Sequence, residues 1–150
     1  MFDTINGLPL HPLVVHAVVV LLPLAVLGTI AIAVRPQWRA TYGPLVVAVA
    51  AAATVLCPLA TSSGEALEQH VGDPGQHAQL GDQLVWFALP VLVLSLLLVW
   101  FDRRARPGRL TSVVAALAVV ASVACAVQVF RVGDSGARAA WGDQVSSSSP

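Results

Sequence analysis

The sequence predicts an all-α, four-helix transmembrane bundle with both termini on the outer side. Three observations predict it: hydrophobic residues make up 57% of 150 and charged residues only 11%, mean hydropathy is +0.78, and four long apolar runs are separated by short polar segments. Soluble domains carry roughly a quarter charged residues. The runs do not alternate as strands would, and in hydrocarbon every backbone polar group must be paired, so helices are the reading.

The spans fall at about 13–34, 44–61, 83–101 and 110–132, within one domain covering 1–145. Crossing ~30 Å of hydrocarbon takes about 20 residues of helix; the second and third runs are short and extend into interfacial sequence. The first run does not read as a signal peptide, because its flank MFDTINGLPLHP has no Lys or Arg and contains Asp3. The end of the chain, 146–150, reads as a disordered tail. Pro23, Pro58 and Pro90 are expected to kink their spans, and Arg131 with Asp134 to form an ion pair closing the last helix.

Orientation comes from arginine. Arg35 and Arg39 lie between the first two spans, and Arg103, Arg104, Arg106 and Arg109 between the last two; that is six of the eight basic residues, none of them lysine. The positive-inside rule makes this side cytoplasmic and both termini extracytoplasmic. Trp38, Tyr42 and Trp100 suit the inner interfacial belt and Trp141 the outer surface. No basic patch interleaves with aromatics, so a nucleic-acid partner has no support.

All four histidines then fall on the outer side. Ser62-Ser63-Gly64-Glu65 has capping-box spacing, predicting a short helix that ends near Gly72 and carries His70. Asp73-Pro74 reads as the start of a further helix, which runs through His77 and Asp82 into the third span. Pro12 suits the first turn of the first span, with His11 at its cap; His16 sits roughly 5 Å below the membrane surface at ~1.5 Å per residue. An ionisable residue within a span is turned inward as a rule and is a functional candidate. No charged residue stands near the middle of a span, which argues against an ion-coupled carrier or proton pump.

The halves resemble one another. Leu22-Pro23-Leu24-Ala25-Val26-Leu27 echoes Leu89-Pro90-Val91-Leu92-Val93-Leu94, and Cys57 and Cys125 follow at similar distances. As two repeated hairpins they bring His11 and His77 to equivalent outer positions, against the alternative of chance matches among Leu, Ala and Val runs. Ala-rich second and fourth spans allow close helix approach.

The opening GLPLHPLVVHAVVVLLPLA, the segment SGEALEQHVG, the HAQLG before the third span and the closing RVGDSGARAAWG resemble one bacterial family, the four-span membrane proteins called domain of unknown function 2231. The resemblance covers nearly the whole chain, with HPxxVH its most specific part. It implies a plasma-membrane protein of an often actinobacterial family. Some members are fused to Rieske-type iron–sulfur domains, which implies proximity to redox chemistry. Many members carry a histidine where this chain has Asp134, so a ligand at that position is not expected here.

Two function classes follow. One is a haem b or transition-metal site for electron transfer built from His16 and His77, with His11 and His70 as further ligands; neutral imidazole suits haem iron, copper and zinc. Its alternative at the residue level has His16 hydrogen-bonded to Gln128, His11 as an interfacial cap, and His70 and His77 solvated. The other class is a cofactor-free accessory subunit packed against a larger respiratory membrane complex, or against itself as a homo-oligomer. Glu65 and Glu68 lack the Glu-x-x-His spacing of a di-iron bundle. Cys57 and Cys125 read as small buried hydrophobes. No nucleophile, base and orienting group recur at useful spacing, so no enzyme is expected, and transport has no polar path.

Overall fold

The computed structural model describes residues 4–5, 8–72, 75–104 and 108–146, without the side chains of 4–5, 8–9, 70–71 and 142–146. Four helices account for nearly all of it. α1 (Leu10–Val34) leads through a 3-10 turn (Pro36–Trp38) into α2 (Arg39–Val71); α3 (Gln76–Arg103) and α4 (Arg109–Ser146) form the second hairpin. Ahead of them, β1 (Thr4–Ile5) and β2 (Leu8–Pro9) pair antiparallel over two residues each. All four helices are long and apolar enough to cross a membrane.

These helices are apolar on every side, so the inward face is selected by residue size and hydroxyl content. Ala25, Ala50, Ala53, Ala88, Ala118 and Cys125 are buried, while Leu13, Val20, Leu27, Leu45, Val120 and Phe130 point outward. Without a hydrophobic drive between helices in lipid, close approach of small residues supplies the packing. Each helix packs on its two neighbours around the ring, and α1 and α3 also meet across the centre.

The core splits into two clusters. Val18, Leu22, Ala53, Cys57, Leu84 and Cys125 belong to the one nearer the histidines, and Ile32, Val46, Leu98, Val99, Val114 and Ala118 to the one nearer the arginines. Between them on their helices lie Thr29, Ser95 and Ser122, all fully buried. Ser95 Oγ donates to the Leu92 carbonyl at 2.8 Å, a back-bond within its own turn.

The structure departs from the expected spans at their polar ends. No new helix begins at Ser62: α2 runs unbroken from Arg39 to Val71, and Ser62 Oγ and Ser63 Oγ donate to the carbonyls of Pro58 and Ala60. Gly72 does end it, at φ +94°, with its N–H on the Glu68 carbonyl. Asp73-Pro74 lies outside the described residues, and α3 then carries His77 and Asp82 into its span as expected. Arg131 does not pair with Asp134. Asp134 takes two bonds from Arg138 on an exposed face (3.0 and 3.3 Å), Arg131 donates to Gln128 Oε1, and α4 continues to Ser146. Of the expected tail, 147–150 lies outside the described residues.

α2 has 33 residues and α4 38, or roughly 50 and 57 Å at 1.5 Å per residue, well over the ~30 Å of hydrocarbon. Both therefore project beyond the membrane at the histidine end. At the other end Arg39 is buried, its Nε donating to the Ile32 carbonyl at 2.8 Å and Nη2 to that of Ala33 at 3.2 Å. These are last-turn carbonyls of α1 with no partner in their own helix, and a cation there also meets the helix dipole favourably. Arg39→Ala should destabilise the protein in detergent by about 1–3 kcal/mol in denaturant titrations. Arg39→Lys should recover only part of this, because an ammonium lacks the guanidinium fork.

Candidate functional site

His11, in the first turn of α1, reaches across to α2. Its Nδ1 lies 2.9 Å from the Ala60 carbonyl and 3.3 Å from Ser63 Oγ. His77, in the first turn of α3, does the same to α4: its Nδ1 lies 3.1 Å from the Val132 carbonyl and 3.3 Å from Ser135 Oγ. In both hairpins the serine hydroxyl also donates to that same carbonyl at 2.9 Å. A glycine follows each serine, and each ring lies against it. A Cβ on Gly64 would stand 3.0 Å from His11 Cε1, and one on Gly136 2.9 Å from His77 Cε1.

The correspondence between the two hairpins extends down the bundle in this register. Counting from the paired histidines, Val18 matches Leu84, Leu22 matches Ala88, Ala25 matches Val91, Thr29 matches Ser95, and Ile32 matches Leu98. Counting from the paired serines, Val46 matches Ala118, Ala50 matches Ser122, and Ala53 matches Cys125. Every one of these residues is buried. The histidines are thus equivalent, but the other sequence anchors are displaced: Pro23 falls opposite Leu89 and not Pro90, and Cys57 is one turn away from the position matching Cys125. The cysteines are free and buried in one cluster.

Both imidazoles line one cavity of about 760 Å³, which extends from Gly72 and Trp141 near the helix ends down to Cys57 and Leu84 in the core. This lies in the roughly 300–1,000 Å³ range of cofactor and small-molecule pockets. Its walls are mostly apolar, and Glu65, Glu68 and Asp82 line it as well.

The other expected site residues are placed differently. His16 is not buried in the bundle: its side chain is exposed, at the edge of the same cavity that it helps to line, with Nδ1 on the Pro12 carbonyl of its own helix. Being one turn and more below His11, it cannot stand level with His77. Gln128 is not its partner. That fully buried amide donates to the Leu80 carbonyl at 3.0 Å, tying α4 to α3. His70 lies on α2, with its side chain outside the described residues. His11 and His77 are not the solvated or capping residues of the alternative reading, since both are partly buried and bonded across helices. Asp134 faces away from the cavity toward Arg138.

The serine–glycine pairs were missed as site residues, although Ser63-Gly64 and Ser135-Gly136 stand in the sequence as a repeated dipeptide on the second helix of each half. Among the described residues no group of three or more His, Cys, Asp or Glu could hold a metal ion.

No curated protein and no solved structure matches the chain. The family model DUF2231, described as a predicted membrane protein, matches residues 7–149, a range that includes all four helices and both histidine contacts, and the chain belongs to that family.

Proposed function

We propose that this multi-pass membrane protein binds haem b between His11 and His77 and serves as a one-electron carrier at the outer face of a bacterial plasma membrane. The observation that carries the reading is the pair of equivalent imidazoles, each held through Nδ1 and both lining one largely apolar cavity. A transition-metal ion held by protein alone is less well supported, because the protein would have to supply three or four ligands and the described residues offer no such group. A haem brings four nitrogens of its own and asks the protein for two axial imidazoles.

The chain's residues then have distinct tasks. His11 and His77 would hold the haem iron, each from the first turn of a separate helix. Val15, Val18 and Leu84 form an apolar wall that keeps water from the ring face, and apolar burial with imidazole ligation are two of the levers that set a haem potential. When bound, haem supplies a ferric–ferrous couple. The side assignment rests on the arginine-rich loops, six of eight basic residues at the opposite end.

The test is an absorption spectrum of the detergent-purified protein, oxidised and then reduced with dithionite, with pyridine-haemochrome quantification on the same sample. A Soret band that shifts on reduction, at about one haem per chain, is the expected result. Haem-free protein that stays haem-free when given ferric haem would sink the reading. It would favour the cofactor-free accessory subunit of a larger membrane complex instead.

A further inference from the structure

We infer that Ser63-Gly64 and Ser135-Gly136 form a duplicated positioning device that fixes both His11 and His77 as the Nδ1–H tautomer and presents a bare Nε2 from each to the cavity. The inference deepens the haem reading and rests on it only for the identity of the ligand; the tautomer stands on the hydrogen bonds alone.

A carbonyl oxygen has no proton to give. An Nδ1 lone pair 2.9 Å from the Ala60 oxygen, or 3.1 Å from that of Val132, would face a second lone pair, so each Nδ1 must carry the proton. The serine hydroxyl does not reverse this. Its proton goes to the same carbonyl at 2.9 Å in both halves, which turns an oxygen lone pair toward the ring at 3.3 Å. The Nδ1 proton is thus shared between two acceptors held by one helical turn. A neutral imidazole has a single N–H, so Nε2 is left as an acceptor or metal ligand.

The glycines supply the space. A Cβ at 64 would lie 3.2 Å from His11 Nδ1, and one at 136 would lie 3.1 Å from His77 Nδ1, as well as crowding Cε1. Any side chain there lifts the ring away from both acceptors. Fixing a ligand imidazole through an Nδ1–H bond sets its ring plane and raises its basicity, and loss of such a partner costs about 10–100-fold in metal affinity. Equivalence of the halves makes the effect equal on the two sides.

Two-bond 1H–15N correlation spectra of histidine-labelled protein in detergent, without haem, read the tautomer directly; His16→Gln and His70→Gln simplify the assignment. Wild-type protein should show protonated Nδ1 and unprotonated Nε2 at both His11 and His77. Gly64→Ala, which crowds the ring off both acceptors, should drive His11 toward mixed tautomers and leave His77 unchanged, while Gly136→Ala should do the reverse; Ser63→Ala and Ser135→Ala, which keep the carbonyl acceptor, should shift the tautomer less. In titrations with ferric haem each glycine variant should bind about 10–100-fold more weakly, alike in the two halves. A protonated Nε2 in the wild type, or signals indifferent to all four substitutions, would overturn the inference even where haem binds. The expected tautomers in a protein that never takes up haem would uphold it and remove only the haem reading.

Discussion

With haem bound as proposed, alanine in place of either His11 or His77 should abolish its low-spin spectrum, whereas His16→Ala should leave it in place. The affinity loss in the first two variants should exceed the roughly 10–100-fold that accompanies loss of a hydrogen-bond partner behind a ligand, because on this proposal the ligand itself is removed. The contrast follows from height on the bundle. All three line one cavity, but His11 and His77 occupy matching first turns and bond across helices, while His16 is exposed and bonded within its own helix. Removing one imidazole from a bis-imidazole iron also opens a coordination site, so the single variants should shift toward a high-spin spectrum that responds to added imidazole. Equal loss in His16→Ala would mean that the ligand pair is not the twofold-related one.

Gly43→Leu should cause the largest packing defect of any single substitution at the arginine end. A bare Cβ at 43 would already stand 2.5 Å from Val99 Cγ2, and Val99 is buried in the core cluster there. The contact is side chain against helix backbone, between α2 and α3, which are the two inner elements of separate hairpins. Overpacking of this kind costs about 1–3 kcal/mol, readable as a lower denaturation midpoint in detergent. Gly43→Ala should cost less, and combining it with Val99→Ala should recover part of that cost, since residues in contact do not add independently. Strict additivity of the two changes would show that the glycine serves something other than this approach.

Much of the fold was legible because its cause is compositional. Runs of Leu, Val and Ala long enough to cross hydrocarbon have few structural options, so span number, span type and the histidine-rich end followed directly. The polar segments were harder. Ser62-Ser63-Gly64-Glu65 carries the local pattern of a helix start, yet α2 passes through it, because Ser62 and Ser63 bond back to carbonyls of the preceding turn and stop nothing. Local hydrogen-bonding residues signal a cap only when the backbone has a reason to begin there. A helix already about six turns long supplies the opposite reason.

The site was half legible for a related cause. Histidines are conspicuous in an apolar sequence, but the direction of a side chain on a helix that is apolar all round is not. His16 looked inward by the rule for ionisable residues in a span, and instead satisfies itself on the Pro12 carbonyl. The repeat was visible in outline, while prolines and cysteines pointed to a register shifted by one residue on the first helices and one turn on the second. Buried small residues and the histidine–serine contacts set the actual register.

The principal acceptor for each imidazole is a main-chain oxygen, of Ala60 in one half and Val132 in the other. No substitution at those two positions deletes a carbonyl, so the acceptor persists whatever side chain stands there. Two copies can therefore lose nearly all resemblance along their second helices and still grip their histidines alike. A comparison of letters alone therefore reads as difference what the backbones of the two hairpins hold alike.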